Sequence, residues 1–308
     1  MANNIATAKF YPSDVLDQKL VQSSVTGAFV DNAFGAQFVD NDGVYLPSKD
    51  FVGLGNYSRN GTGYAEGDIT VTRDLYQLKM ERSQSFFMDV MDVDESGITV
   101  DKLMGHDMGD YIKEHVAPEK DAYVISNAFG VATEKGHTDA FSEASPFGQL
   151  VDLIDNVGDV CGYDSENFAF VDRVAYSAMR KSNEFQKMVD VASFKQGGID
   201  LRVKRLDNTY IIPVPSARMK SSYVFHNGED GKFGFEANTN AAGGLKNIRM
   251  LVVPKKDISV VIKHSKIRVF TPETYQPKEG YNWQYRILYD AFIKKSRKDH
   301  IFAAYTPV

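Results

Sequence analysis

The sequence contains a single cysteine, Cys161, among its 308 residues. One chain therefore has no second thiol for an intrachain disulfide and cannot build a thiolate metal cage alone. This usage fits folding in a reducing cytoplasm. There is no run of about 18 uncharged apolar residues, so we expect no membrane-spanning helix. The first residues lack a basic start followed by an apolar core, so we also expect no signal peptide.

An excess of basic residues is missing as well. The formal net charge is −6 and the sequence pI is about 5.6, which argues against a dedicated nucleic-acid-binding protein. The composition, with 43% hydrophobic and 25% charged residues, is that of a globular chain. Its length allows one large domain or two smaller ones.

Motifs that carry chemistry are also absent. The sequence has no G-x-S-x-G elbow, no Walker phosphate loop and no H-E-x-x-H pair. Its six histidines are widely dispersed, and Cys161 lies on the apolar stripe of a helix, which indicates a buried structural thiol. We therefore predict no enzyme activity, catalytic residues, cofactor or metal ligands. The alternative is an oligomeric enzyme whose active-site residues are dispersed along the chain.

An acidic run at 89–97 hints at a calcium loop. The twelve-residue EF-hand pattern needs a glutamate at its last position, and counting from Asp92 that position is Leu103. We therefore prefer a solvated acidic turn that precedes the next helix.

The stretch from Ser48 to Asp92 is the most unusual part of the chain. It is rich in glycine between Gly53 and Gly67, and then alternates with a period of two from Ile69 to Met80, which predicts a β-strand. Neither face of this strand is consistently apolar, and an isolated two-stranded ribbon is marginally stable in water. We expect another copy of the chain to cover it.

A long helix is predicted from 99 to 132, because apolar residues recur at steps of three and four. About 30 helical residues would span about 45 Å. Pro118 removes one backbone hydrogen bond and should bend or break the helix.

The remaining pattern predicts an α+β protein with many antiparallel strands. Residues 1–45 have little periodicity, and either an extended arm with a short helical turn near 14–22 or a segment packed on its own domain fits them. The basic cluster at 294–298 fits a nucleic-acid contact less well than a solvated strand end or a salt-bridged face. Residues 226–247 and 271–283 are predicted loops. The strands that we predict are 167–171, 199–206, 210–214, 248–253, 258–263, 267–270, 285–293 and 301–305, with a helix at 173–182.

Several stretches of the sequence, and the order in which they follow one another, resemble the major capsid proteins of tailed bacteriophages, which have the Hong Kong 97-type fold. The resemblance covers most of residues 44 to 305. The stretches that carry it are DLYQLKMERSQSFFMDVMDVDESG, VAPEKDAY, ENFAFVDRVAYSAMRKSNEF, VKRLDNTYIIPVPSARM, NIRMLVVPKKDISVVIKHSKIRVFTPE and YNWQYRILYDAFI.

The resemblance implies a division of the chain into the parts of that fold. Residues 1–45 would be the N-terminal arm and 46–90 the extended β-hairpin loop. Residues 91–141 and 248–298 would form the peripheral domain, with 99–132 as its spine helix. Residues 142–247 and 299–308 would form the axial domain.

The resemblance also implies a function. The chain would assemble into pentamers and hexamers of an icosahedral shell around double-stranded phage DNA, in the virion, after assembly in the host bacterial cytoplasm. A portal and a separate scaffolding protein would be partners, a decoration protein is a further option, and DNA would be held only by weak non-specific contacts. An encapsulin-like compartment that holds cargo proteins is the alternative.

Candidate contact residues follow from the same resemblance. Some relatives crosslink through a lysine of the extended loop, but the tip Asn56–Glu66 has none and Lys49 and Lys79 lie near its base, so we predict no crosslink. Inter-subunit contacts are predicted in the extended loop at Asn56, Arg59, Tyr64, Arg73, Glu81 and Arg82. Peripheral-loop contacts are predicted at Glu273, Tyr275, Lys278 and Glu279.

Overall fold

A computed structural model describes residues 20, 23–30, 37–39, 43–61, 63–96, 108–196, 199–275 and 278–308. It combines helices with mainly antiparallel sheets, which confirms the α+β class. None of the described helices has the length and hydropathy needed to cross a membrane.

The largest sheet has seven strands in the order β5-β15-β12-β6-β9-β8-β7. The pairs β6–β9 and β15–β5 are parallel and the other pairs are antiparallel. The strands are β5 (Thr138–Ala140), β6 (Asn167–Asp172), β7 (Asp190–Gln196), β8 (Ile199–Leu206), β9 (Thr209–Val214), β12 (Lys246–Pro254) and β15 (Phe302–Pro307). The predicted hairpin of 199–206 and 210–214 is confirmed, and Asp207 in its turn has a left-handed φ of 49°.

Helices cover both faces of this sheet. All six residues of β6 are buried, and its side chains alternate between two layers. Phe168 and Phe170 face a core built with helix α2 (Ala117–Glu134), whereas Ala169 and Val171 face a second core. That second core is built with α3 (Pro146–Cys161) and α4 (Arg173–Arg180), and the short helix α5 (Asn183–Met188) follows.

The predicted long helix is present over residues 108–134, and its predicted start at 99 lies outside the described residues. Pro118 does not break it. A π-helical turn at Ile112–Val116 precedes α2, and the Ala117 amide donates to the Ile112 carbonyl, five residues back. The wider turn accommodates a proline that has no amide hydrogen, so the helix continues.

A second sheet has three antiparallel strands in the order β13-β14-β4. They are β4 (Met80–Asp89), β13 (Ile258–Phe270) and β14 (Gly280–Ile293). Two expectations were wrong here. The strands predicted at 258–263 and 267–270 form one strand, because a register shift between Ile262 and His264 bends it without ending it. The loop predicted at 271–283 is shorter, because β14 begins at Gly280 and pairs with β4.

A third sheet joins β1 (Gln37–Val39), β2 (Gly43–Phe51) and β3 (Ile69–Gln77). A small hairpin of β10 (Tyr223–Phe225) and β11 (Phe235–Ala237) occupies part of the loop that we predicted at 226–247. The acidic run after β4 forms the short helix α1 (Val90–Ser96), so Asp92 lies in a helical turn.

Candidate assembly surfaces

The hairpin of β2 and β3 exposes many large apolar side chains. The strands pair continuously from Gly43–Gln77 to Phe51–Ile69. Apolar side chains project into solvent along β3, with Ile69 63% and Leu75 54% exposed. The other exposed large apolar side chains of the hairpin and its tip (52–68) are Phe51, Val52, Leu54, Tyr57, Tyr64 and Val71. This confirms a strand with no core of its own.

The tip has a defined structure. The Ser58 amide donates to the Gly63 carbonyl at 2.9 Å, and Gly63 has a left-handed φ of 79°. The rings of Tyr57 and Tyr64 meet edge to face at 5.1 Å. A Cβ at Gly55 would lie 2.5 Å from Ala65 Cβ. The close approach of these two segments of the tip therefore requires glycine at position 55.

The base of the hairpin is anchored on the three-stranded sheet of its own subunit. Tyr76 packs against Phe292 with ring centroids 5.1 Å apart. The Lys79 amide donates to Asp290 Oδ2 at 3.0 Å, and Tyr123 Oη donates to Oδ1 of the same carboxylate at 2.7 Å. Burial raises the pKa of Asp290, and these donors oppose the rise. The base of the hairpin is thus fixed on its own subunit, whereas its tip is exposed to solvent.

The predicted contact residues of the extended loop fall into two groups. Asn56, Arg59 and Tyr64 are exposed at the tip, as an inter-subunit contact requires. Arg73 lies in β3, and its side chain lies outside the described part of the structure.

Glu81 and Arg82 lie in β4 and have partners within the subunit. Glu81 accepts from the Arg286 guanidinium on the exposed side of the sheet. Arg82 Nε donates to Glu119 Oε1 at 2.6 Å, and its other nitrogens donate to the carbonyls of His226 and Gly234. The contact of these two residues with a neighbour stays a prediction.

The predicted peripheral-loop contacts lie beside β4. Tyr275 meets the Phe87 ring at 5.9 Å, and Lys278 Nζ lies 5.3 Å from the centre of the same ring. Glu273 and Glu279 are exposed. The loop is thus held on its own sheet and presents two carboxylates outward.

One anchoring site was missed from the sequence. The fully buried carboxylate of Asp121 accepts hydrogen bonds from the hydroxyls of Ser24 and Thr26, at 2.6 and 2.7 Å, and from the backbone amides of Val25 and Thr26. Arg218 completes the set at 3.0 Å. Residues 23–30 therefore pack on their own subunit, as the second interpretation of the N-terminal segment expected. The predicted turn at 14–22 lies almost wholly outside the described residues.

The basic cluster at 294–298 forms intrachain salt bridges. Arg297 and His300 both bind the buried carboxylate of Asp257 at 2.6 Å, and Lys298 binds Glu134 at 2.9 Å. This arrangement favours the interpretation as a salt-bridged face.

Cys161 lies close to Asp257 and His300, in the one group of three potential metal ligands among the described residues. The thiol is half-buried, and burial, with the nearby Asp257, raises its pKa to about 11. It is therefore protonated at neutral pH, whereas a metal binds the thiolate. Because Arg297 and His300 already satisfy the carboxylate, we interpret the group as structural.

Comparison with known proteins found similarity in structure alone. No family model and no curated protein matches the sequence. The mature capsid of bacteriophage PhiM1 is 14% identical with a TM-score of 0.54, covering 86% of this chain and 82% of the other. The capsid of cyanophage P-SCSP1u is 11% identical with a TM-score of 0.54, covering 87% and 84%. A structure from Mycobacterium phage Bobi is 11% identical with a TM-score of 0.55, covering 99% and 93%.

The similarity extends over most of each chain, although identity is low. The chain therefore has the Hong Kong 97-type fold of phage capsids.

Proposed function

We propose that the chain is a major capsid protein whose copies assemble into the pentamers and hexamers of an icosahedral shell around double-stranded phage DNA. The observation that carries the proposal is the hairpin of β2 and β3, which exposes apolar side chains on a fold shared with phage capsids. Contiguous exposed apolar surface on a soluble protein marks an interaction site. The role is structural and requires no catalytic group.

The physical basis is burial of the hairpin on a neighbouring subunit. Interfaces of obligate assemblies bury about 2,000 Å² or more. Only part of that area becomes affinity, because ordering the partners costs entropy. The defined geometry of the tip, held by the Ser58–Gly63 pair and the edge-to-face contact of Tyr57 with Tyr64, lowers that cost. Each subunit contacts several neighbours in a shell, and these repeated contacts together supply the remaining stability of the assembly.

We assign the parts of the fold as the resemblance implied. The N-terminal arm is 1–45, the extended loop 46–90, the peripheral domain 91–141 with 248–298, and the axial domain 142–247 with 299–308. Residues 46–77 of the extended loop belong to the projecting sheet of β1, β2 and β3, and β4 belongs to the sheet that anchors the base of the hairpin.

Partners follow from the same proposal. A portal, a separate scaffolding protein and, in some shells, a decoration protein would join the copies of this chain in the virion, with assembly in the bacterial cytoplasm. Packaged DNA would be held weakly, because the acidic balance of the chain disfavours a tight grip. Strong binding of DNA to empty shells at physiological salt would contradict this part.

Electron microscopy and sedimentation of the purified chain test the proposal. We expect closed shells, sheets or tubes. A monomer or dimer at every concentration would contradict it. A variant in which a short turn replaces residues 53–67 should stay folded and lose assembly, because the base of the hairpin keeps its contacts.

A further inference from the structure

The outward face of the three-stranded sheet carries an unusual concentration of basic side chains. Alternation along β13 places His264, Lys266 and Arg268 on one face, and the register places Arg286 of β14 directly opposite Lys266. Lys266, Arg268 and Arg286 are all exposed. We call these four residues the basic face. With Ser83, Ser85 and Gln284 they line a shallow cavity of about 570 Å³.

The positive charge of the basic face is poorly balanced within the subunit. Like charges placed directly across two strands repel one another. Glu81 forms a salt bridge with Arg286. Among the residues that the structure describes, no carboxylate forms a salt bridge with Lys266 or Arg268. His264 has a lowered pKa, first because of burial and then because of its three cationic neighbours. An acidic partner would relieve this repulsion.

A complementary surface lies on the helix α3 of the same chain. Asp152, Asp155 and Asp159 recur at steps of three and four, and all three are exposed. We call them the acidic stripe. Among the described residues no cation forms a salt bridge with them, and the one side-chain hydrogen bond of the stripe is donated by Tyr163 to Asp159 at 3.3 Å. The opposite side of α3 is buried in the core of the seven-stranded sheet.

The two surfaces have similar lengths. At 1.5 Å per residue the acidic stripe extends about 10 Å along the helix, from 152 to 159. At about 3.3 Å per residue the cationic and imidazole groups of β13 extend about 13 Å, from 264 to 268. A helix laid on the sheet face can therefore match its carboxylates to the basic side chains.

We propose that the basic face of one subunit binds the acidic stripe of a second copy. The inference rests on the proposed function, since it assigns one of the contacts by which copies assemble. Within one subunit no described ion pair joins the two surfaces, so each stays available to a neighbour. Because the surfaces differ, the contact is head to tail, which is the arrangement that closes rings of five or six subunits. DNA is a poorer occupant, because the chain as a whole carries a net charge of −6.

Charge reversal in the full chain tests this contact. One variant carries Lys266→Glu with Arg268→Glu, a second carries Asp152→Lys with Asp155→Lys, and a third combines all four. A control matched to the first variant carries Lys181→Glu with Lys187→Glu, which lowers the net charge by the same amount at exposed positions outside both surfaces. The subunit concentration needed for assembly is measured by sedimentation at low and high salt, and thermal unfolding confirms that each variant folds.

We expect either double variant to raise that concentration about tenfold at low salt, and the fourfold variant to restore it, because interface charges act mainly on complementarity. The control should match the wild type, and salt should reduce every difference. Unchanged assembly of the double variants, or no rescue in the fourfold variant, would overturn the inference. So would normal assembly with loss only of packaged DNA. A wild type that never assembles would instead refute the proposed function.

Discussion

Arg82 of β4 and Glu119 of α2 form a salt bridge, with Nε and Oε1 2.6 Å apart. The same guanidinium donates to the backbone carbonyls of His226 and Gly234. The Arg82 side chain therefore contacts and connects three elements, which are the three-stranded sheet, the start of α2 and the loop between β10 and β11. These contacts surround a cavity of about 500 Å³.

Replacement of Arg82 by alanine should destabilise the isolated subunit. Both side chains of the pair are largely buried, so the substitution leaves the Glu119 carboxylate and two carbonyls without their donor. Hydrogen bonds to charged groups contribute about 1.5–3 kcal/mol, and we expect the free energy of unfolding to fall by about 2 kcal/mol. This change in the free energy of unfolding is measured by urea unfolding of subunits kept below the concentration at which they assemble.

Arg286→Ala provides the control, because its pair with Glu81 is about half exposed and should contribute less than about 1 kcal/mol. If Arg82→Ala left the subunit unchanged and weakened only assembly, the role predicted from the sequence, an inter-subunit contact, would be correct and the internal role minor.

Asp121→Ala should release residues 23–30 from α2. The substitution removes the acceptor of five donors and leaves Arg218 without its buried partner, which typically costs about 3 kcal/mol or more. Limited proteolysis should then cut near Ser24 in the folded subunit. Asp299→Ala, which removes an exposed pair with Lys135, should leave the proteolysis pattern unchanged.

The fold could be predicted from the sequence where periodicity and turn chemistry agree. The hairpin of β8 and β9, the buried β6 and the helix after it follow from local pattern, because the apolar run at 168–171 and an Asp-Asn turn leave few alternatives. The bend in β13 could not be predicted. A bulge depends on pairing with β14, which is distant in sequence, so Ser265 and Lys266 read locally as a break.

For the candidate surfaces too, the sequence predicts the local features but not the contacts between distant residues. The lack of an apolar face on β3 is visible in the sequence, and the structure adds that its base is rooted on Phe292 and Asp290. The partners of Arg82 and Asp121 are each separated from them by tens of residues. Ser24 and Thr26 gave no signal, because two hydroxyl residues in a loop are common.

Stability should rise with pH between about 8 and 9.5 because of Lys120. Its side chain is fully buried, and Nζ has no hydrogen-bond partner among the described residues. Burial lowers its pKa from 10.5 to about 8. The unfolded chain therefore keeps the proton to higher pH than the folded one, so the free energy of unfolding increases with pH in this window. The difference between the two pKa values sets an upper bound of about 3 kcal/mol.

Urea unfolding at several pH values, compared with Lys120→Met, measures this effect. The methionine variant should be more stable at pH 7 and lose the rise. Measurements stay below pH 10, because burial raises the pKa of Tyr123 and Tyr223, and stability supplied by these neutral phenols is lost at higher pH. An equal rise in the variant would assign the effect to other groups.

Assembled particles should dissolve into single chains in denaturant. The tip Asn56–Glu66 has no lysine, so we expect boiled particles to give one band at 34.4 kDa in denaturing gels. A ladder of multiples that survives reductant would contradict this, and Lys49→Arg and Lys79→Arg would then show which lysine forms the bond.

Leu54→Asp should separate folding from assembly. Leu54 is fully exposed at the tip of the hairpin, so the substitution removes no contact of the isolated subunit, and its free energy of unfolding should change by less than about 0.5 kcal/mol. In an assembled particle the same position would place a carboxylate in an apolar interface, where an unpaired charge is costly. We therefore expect normal folding with a large loss of particles in sedimentation. Val308→Asp, at another exposed apolar residue, should assemble normally. If Leu54→Asp assembled as well as this control, the tip would lie in solvent in the particle, and the contact with the neighbouring subunit would have to come from the strands of the hairpin.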